Sequence, residues 1–188
     1  VKTATTEDVT TGIERALKAV LKSAAIDRAR IQYAMLGTTH CTNAIVERKR
    51  LNRIAIIRIG APATLAVEPL TGMPDDLKAM FSRHVLIAKG GHEFDGREIA
   101  PLDTESIYRF AESLKGKIDA AAITSVFSPV SRHHEERAAA VFKDVFGEDF
   151  PVSLSHHIGS IGLLERENAT ILNAALIGVA KQTVQGFE

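Results

Sequence analysis

The chain has 188 residues, of which 45% are hydrophobic and 24% charged, the composition of a globular protein with an ordinary core. Lysine plus arginine equals aspartate plus glutamate at 23 each, which gives no reason to expect binding to nucleic acid or to an acidic membrane surface. The single cysteine excludes an internal disulfide framework and no apolar run approaches the roughly 20 residues that cross a bilayer, so we expect a cytoplasmic protein.

The first third of the chain predicts alternating helices and strands. A Thr-x-x-Asp start at Thr5 leads into apolar residues at helical spacing, which predicts a capped amphipathic helix that runs through Leu21. Apolar runs at residues 31–36 and 54–59 predict strands covered on both faces. Residues 39–49, between these runs, predict a second helix.

The rest of the chain continues this alternation after an interruption. The prolines and glycines of residues 60–74 predict a surface excursion, and residues 89–103 predict a hairpin that turns at Asp95 and Gly96. The remaining predicted elements are helices over 103–114 and 132–146, strands over 120–127 and 152–155, and a long helix from about residue 161. The chain is therefore predicted to be one α/β domain spanning residues 1–188.

The first candidate site lies where a predicted strand leads into a helix. Gly37, Thr38 and Thr39 stand at the start of this helix, and Asn43 lies one turn later. Free backbone N–H groups of a first helical turn, with hydroxyls beside them, suit a phosphate or a carboxylate. The alternative is that Thr38 or Thr39 simply caps the helix, as such residues commonly do.

The second candidate site combines the end of the last predicted strand with the helix after it. The strand delivers His156 and His157 to its carboxyl end, where ligands gather in open α/β sheets. Arg166, Thr170 and Asn173 form one polar stripe at helical spacing, and Glu165 lies one position from it. Such a stripe commonly faces solvent, but Asn173 is flanked by apolar residues and is expected to have a specific hydrogen-bond partner.

A third polar cluster, SPVSRHHEER, predicts a helix start rather than a site. We interpret Ser131 as the helix cap, and Glu135 and Glu136 as favourable charges in the first turn. Neither this cluster nor any other histidine in the chain has the spacing of a metal site, so no metal ligand is predicted.

In their order along the chain, these segments resemble the hydantoinase/oxoprolinase family. They are KTATTEDVTTGI (2–13), GTTHCTNAIVER (37–48), GGHEFDGREIAPLD (90–103), FSPVSRHHEER (127–137), SLSHHIG (153–159) and GLLERENATILNAAL (162–176). The resemblance covers nearly the whole chain. Its last two segments are the most specific.

The resemblance implies a fold and an activity. Family members are similar to actin, sugar kinases and heat-shock ATPases in having a ribonuclease-H-like α/β fold, and they use ATP and Mg²⁺ to open cyclic amides such as hydantoins or 5-oxoproline. We therefore expect a fragment of a larger enzyme, inactive alone and without tight binding of ATP or Mg²⁺. Its partners would be a cyclic amide, the remaining lobe of the same protein and a second hydantoinase subunit.

Two departures from the family pattern are visible. The phosphate-binding Asp-x-Gly-Gly-Thr hairpin expected just before Lys2 is missing, so the ribonuclease-H-like lobe would be incomplete. His157 stands where the family commonly has glutamate, and Ser131 and Arg132 stand where Asn-Pro is common.

The leading hypothesis assigns roles to the residues at the two predicted strand ends. His156, Glu165 and Arg166 would line or orient the catalytic site. Substrate or phosphate would be held by Gly37, Thr38, Thr39, Asn43 and Asn173. The alternatives are a domain of an acetone-carboxylase-type subunit and a non-catalytic domain that binds a small acid or a partner subunit.

Overall fold

The computed structural model describes residues 9–25, 27–33, 39–160 and 162–185 of the chain. Within these ranges the strands are β1 (Ile54–Ala61), β2 (Val85–Lys89), β3 (Ala120–Ser125) and β4 (Val152–Leu154). The helices are α1 (Val9–Ala24), α2 (His40–Glu47), α3 (Asp75–Phe81), α4 (Thr104–Ser113), α5 (His133–Phe146) and α6 (Leu163–Gln185). Short 3-10 turns occupy Arg28–Arg30 and Ser155–His157. None of the described helices is long and apolar enough to span a membrane.

The four strands form one parallel sheet in the order β2-β1-β3-β4. Ile57 in β1 aligns with Leu86 in β2 and with Ile123 in β3, and Ile123 aligns in turn with Leu154 in β4. All four strands run in one direction, so their carboxyl ends share one edge of the sheet. This confirms the predicted α/β class, whereas the finer assignment to a ribonuclease-H-like lobe stays a prediction.

Helices cover both faces of the sheet, and the side chains of β1 alternate between them. Ile57 and Ile59 pack in one hydrophobic cluster with residues of α4 and α5, while Ile54 and Ile56 pack in another with residues of α3 and α6. Burial on both faces explains why β1 and β3 are continuous apolar runs, the pattern that predicted them.

Most predicted elements are confirmed, and two were missed. The strands β1, β3 and β4 and the helices α2, α4, α5 and α6 agree with the predictions to within a few residues. The missed elements are α3, which has only seven residues, and β2, a partly buried edge strand of five residues whose short apolar run at residues 85–88 was not interpreted as a strand. Residues 31–33 are not in a strand, and residues 34–36 of that predicted strand lie outside the described residues, as do Thr5 and Asp8.

The predicted hairpin is reduced to one antiparallel bridge between His92 and Glu98. Its turn lies where it was predicted, with Gly96 at a φ of +86° and the Asp95 carboxylate accepting the backbone N–H of Arg97. Because most of the segment forms no ladder, its side chains are free to pack against the start of α5.

An ion pair with both side chains fully buried ties β1 to α6. The Nε of Arg58 donates to Glu167 at 2.7 Å, and its Nη2 donates to the other oxygen of the same carboxylate. The guanidinium also donates to the backbone carbonyls of Val67 and Glu68, in the predicted surface excursion. The charge of Arg58 is thus neutralised by Glu167. The other N–H groups of Arg58 satisfy backbone carbonyls of an irregular segment.

We expect Glu167→Ala to lower the free energy of unfolding by about 3–5 kcal/mol, because it leaves the Arg58 charge buried and unpaired. Urea denaturation measures the change, and Glu105→Ala, which removes an exposed partner of Arg109, serves as the control. The double variant Arg58→Met/Glu167→Leu should recover a substantial part of the loss. A loss for Glu167→Ala as small as that of the control would contradict this account.

The start of α4 generates a prediction of pH dependence. The Asp103 carboxylate accepts the backbone N–H of Ser106 at 3.0 Å, and this bond lowers the pKa of Asp103. A lowered pKa contributes stability above the ordinary aspartate range, and that stability is lost as the pH falls through the folded-state value. Asp103→Ala should therefore cost about 1 kcal/mol at neutral pH, and the difference should narrow below about pH 4. Denaturation curves at several pH values test this, and a pH-independent difference would refute it.

Candidate functional site

A buried carboxylate, Glu135, joins the carboxyl ends of β3 and β4 to the first turn of α5. Its Oε1 accepts the backbone N–H of Ser125 at 2.8 Å and the hydroxyl of Ser155 at 2.5 Å. Its Oε2 accepts the backbone N–H of His156 at 3.1 Å and approaches the ring Nδ1 of the same residue at 2.6 Å. Four donors thus converge on one side chain that has no solvent exposure.

Arg166, in the first turn of α6, closes the same network from the other side. Only 5% of this residue is exposed. Its Nε donates to the hydroxyl of Ser155 at 2.9 Å, its Nη2 to the carbonyl of Ser125 at 2.7 Å and its Nη1 to the carbonyl of Ser160 at 3.1 Å. Burial lowers the pKa of Arg166, while the nearby carboxylates of Glu135 and Glu167 act in the opposite direction. The planar fork of arginine fits these three acceptors.

The hydroxyl of Ser155 lies between the two charged groups. It donates its proton to Glu135 and accepts from Arg166, and the Oγ of Ser128 lies 3.0 Å away. Because its single proton is already used, Ser128 is the donor in the contact between the two serines. Ser155 therefore links an anion to a cation rather than serving as a free nucleophile.

His156 has one ring nitrogen engaged and one without a partner. Because the Glu135 carboxylate accepts at Nδ1, that nitrogen carries the proton of the neutral ring and Nε2 keeps its lone pair. Nε2 is buried and has no hydrogen-bond partner among the residues that the structure describes. The imidazole is thus held in one tautomer with an unused acceptor.

Two adjoining cavities lie beside this network and share Pro129, Val130 and Ser160. The polar cavity, of about 460 Å³, includes His156 in its lining together with Ser128, Ser131, Arg132, His133 and Gly159. The apolar cavity, of about 320 Å³, is lined by Val126, Phe127, Leu163, Gly162 and Arg166 in addition to the shared residues. Together they offer one polar and one hydrocarbon-lined compartment.

The structure brings two of the three predicted catalytic residues together. His156 and Arg166 both belong to the Glu135 network, whereas Glu165 is exposed and, among the described residues, makes no hydrogen bond to that network. Arg166 and Thr170 of the predicted polar stripe are buried, whereas Asn173 is exposed and donates to the Ser153 hydroxyl of β4 at 2.8 Å. Asn173 therefore has the specific partner that its apolar neighbours predicted.

The other predicted binding residues lie at the start of α2. Gly37 and Thr38 lie outside the described residues. Thr39 is exposed at the cap position of α2 but makes no side-chain capping bond, and Asn43 is exposed. No hydrogen bond between described residues joins Thr39 or Asn43 to the Glu135 network, so their role stays a prediction.

Glu135 is the central residue that sequence reasoning missed. Glu135 lies in the first turn of α5 as predicted, but its side chain is fully buried, which the interpretation as a favourable first-turn charge did not anticipate. The capping role of Ser131 is wrong, since Arg132 occupies the cap position and the Ser131 hydroxyl contacts Nε2 of His92. A signal was present, because Glu135 shares helical spacing with buried residues of α5, namely Ala138, Ala139 and Phe142.

Two histidines and a glutamate form a second cluster beside α5. His92, Glu98 and His134 have potential ligand atoms within 4.8 Å of one another, the only such group of three or more among residues that the structure describes. However, the backbone N–H of Gly91 donates to Nδ1 of His134 at 2.9 Å, so Nε2 carries the ring proton and donates to Glu98 at 3.1 Å. His134 then has no lone pair for a metal, and burial lowers the pKa of His92. The cluster is best explained as packing of two neutral rings.

A third cavity, of about 410 Å³, lies at the opposite, amino-terminal edge of the sheet. Arg53, Arg83 and Lys117 line it, and Arg53 is paired with Asp119 at 2.7 Å. Ligands of open α/β sheets bind at the carboxyl ends of the strands. The Glu135 network is therefore the better candidate site.

Comparison with known proteins agrees with the fold. The model of the hydantoinase/oxoprolinase N-terminal region matches residues 1–146. An ATP-dependent caprolactamase from Pseudomonas jessenii is 22% identical and superposes with a TM-score of 0.72 over 93% of this chain, which corresponds to 27% of that structure. A nucleotide-free acetone carboxylase is 17% identical with a TM-score of 0.72 over 99% of this chain and 30% of its own. No curated protein matches the sequence significantly.

The network predicts a large stability effect for Ser155→Ala. This change removes one donor to Glu135 and the acceptor of the Arg166 Nε, so we expect a loss of about 1–3 kcal/mol in the free energy of unfolding. Ser113→Ala, which removes an exposed hydroxyl of α4, should change it by less than about 0.5 kcal/mol. Equal losses in the free energy of unfolding for the two substitutions, measured by urea denaturation, would show that the hydrogen bonds of Ser155 do not stabilise the protein.

Proposed function

Because the chain belongs to the hydantoinase/oxoprolinase family, we propose that it forms the substrate side of an ATP-dependent enzyme that opens cyclic amides. The two similar structures are each more than three times as long as the part that this chain matches, so the activity proposed is that of a larger protein. The remaining lobe of that protein and a second hydantoinase subunit are its proposed partners.

The observation that carries this proposal is the buried Glu135–Ser155–His156–Arg166 network beside the apolar cavity. Buried charged groups at a cavity are costly to maintain and are typical of sites that do chemistry. The cavity walls from Val126, Phe127 and Leu163 suit the methylene groups of a lactam ring. Phe127 has a φ of +49°, a conformation that is strained for a bulky residue and concentrates at functional sites.

Binding of ATP is proposed from family membership, with Thr39 and Asn43 as contacts to phosphate or substrate. The uncommitted side chain of Thr39 at a helix start fits a phosphate oxygen. ATP supplies the phosphoryl group that converts an amide oxygen into part of a leaving group. Mg²⁺ prefers oxygen ligands, and the one ligand cluster among the described residues contains two histidines, so we derive no step through a metal.

A carboxylase of the acetone type is the second candidate. The similarity to acetone carboxylase covers almost the whole chain at the same TM-score as that to caprolactamase. Both activities would consume ATP, but the carboxylase would need bicarbonate and a ketone in place of a cyclic amide. ATP consumption that depends on bicarbonate and does not change when lactams are added would favour the carboxylase. With a non-catalytic binding domain, neither bicarbonate nor lactams would stimulate ATP consumption.

The test uses the whole protein that contains this chain, with ATP and a series of lactams and cyclic imides. We expect Arg166→Lys to reduce ATP-dependent ring opening by about 10²-fold or more, because lysine cannot bridge Ser155, Ser125 and Ser160 at once. Thr39→Ala should raise KM for ATP or substrate and leave the unfolding midpoint unchanged. Lys181→Gln is a control for charge on the exposed face of α6. Wild-type turnover in folded Arg166→Lys and Thr39→Ala proteins would contradict the assignment of these two residues to the site.

A further inference from the structure

We propose that His156 is the proton acceptor for the water that attacks the activated amide, and that Glu135 is the positioning residue that keeps Nε2 available for this step. The inference rests on the proposed function. It adds a direction of proton transfer and a reacting atom that the family assignment does not supply.

Hydrogen bonds to Glu135 fix the tautomer of His156. The Glu135 carboxylate accepts at Nδ1 of His156 at 2.6 Å and also accepts the backbone N–H of the same residue. These two bonds fix both the ring proton and the position of the ring. In this tautomer Nε2 accepts hydrogen bonds and does not donate them, so whatever completes it must carry an N–H or an O–H.

Nε2 of His156 has no hydrogen-bond partner in the part of the chain that the structure describes. The His156 side chain is only 8% exposed, and a buried nitrogen without a partner is expensive to maintain. Among the described residues no group of three or more potential metal ligands includes His156, which argues against a metal at this nitrogen. We therefore assign the hydrogen bond to Nε2 to an N–H or O–H group of one of the reactants.

The group that donates to Nε2 of His156 is either a water molecule or the N–H of the substrate. His156 lines the polar cavity, where Ser128, Ser131 and Ser160 contribute to the lining, whereas the adjoining apolar cavity suits the hydrocarbon ring. We therefore place the ring in the apolar cavity with its amide toward Pro129, Val130 and Ser160, which line both cavities, and the attacking water in the polar cavity that His156 also lines.

The step itself balances without another reactant than ATP and water. The water oxygen forms a bond to the carbon of the ATP-activated amide, one O–H bond of the water breaks and its proton passes to Nε2. The π electron pair of the C=N bond moves to the amide nitrogen. That nitrogen then takes the proton from Nε2, which returns His156 to its neutral form. The C–N bond of this adduct breaks as its hydroxyl proton passes to the nitrogen, which leaves as an amine. The acyl phosphate that remains reacts with a second water to give a carboxylate and phosphate.

The kinetic test compares wild type, His156→Ala and His157→Ala in the whole protein. His157 is the matched control, because its ring contacts that of His156 at 4.1 Å between centroids but is exposed. We expect kcat of His156→Ala to fall by about 10²–10⁴-fold, with partial recovery on adding imidazole, and His157→Ala to keep wild-type kcat. An active wild type whose His156→Ala form is equally active, or inactive and not rescued in a folded protein, would overturn the proposal while leaving the proposed function intact.

Two further measurements separate the remaining possibilities. Nitrogen NMR of ¹⁵N-histidine-labelled protein should show His156 protonated at Nδ1 in wild type and a shifted tautomer balance in Glu135→Gln; a wild-type proton at Nε2 would overturn the proposal without reference to activity. A lactam methylated at nitrogen should lose as much turnover as its N–H counterpart on His156→Ala. A loss confined to the N–H substrate would instead identify the substrate as the donor and contradict the role of water.

Discussion

The carboxylate of Glu135 is the interaction on which the carboxyl-terminal edge of the sheet depends. It accepts hydrogen bonds from the end of β3 and from the 3-10 turn after β4, including the imidazole of His156 in that turn, so the anion on α5 joins two other segments. Strand ends and helix starts leave polar backbone groups that must be satisfied when they are buried. One buried charge satisfies several of them and fixes the orientation of His156 at the same time.

This arrangement holds because the buried charges balance. Among the described residues, Arg58 and Arg166 are the buried arginines, and Glu135 and Glu167 are the buried glutamates. Arg166 and Glu167 are neighbours on α6 and point about 100° apart, so one reaches the ends of β3 and β4 and the other reaches β1. The Arg58–Glu167 pair thereby fixes the rotation of α6 that Arg166 needs.

The candidate site was predictable where local pattern and strand order carry the information. His156 stands at the end of a strand and Arg166 on a polar stripe one helix later, and both signals place them at the carboxyl edge of the sheet. Glu135 was not predicted as a site residue, because a carboxylate in the first turn of a helix is already explained by its favourable interaction with the helix dipole. Its burial depends on which face of α5 meets the sheet. The helical spacing of Glu135 with Ala138, Ala139 and Phe142 indicates that face, but it was not used in the prediction.

The sequence by itself determined the α/β class, the position of most helices and strands, the family, and the placement of His156 and Arg166 at the carboxyl-terminal edge of the sheet. It could do so because the hydrophobic period, the helix termini and the motif order are local properties of the chain. Only the tertiary structure decided that Glu135 is buried, that Ser131 contacts His92 instead of capping α5, and that Nε2 of His156 has no hydrogen-bond partner among the described residues. Those facts depend on contacts between residues as far apart as Glu135 and His156, or Ser131 and His92. No local pattern records whether a polar group will meet water or another polar group when the elements pack.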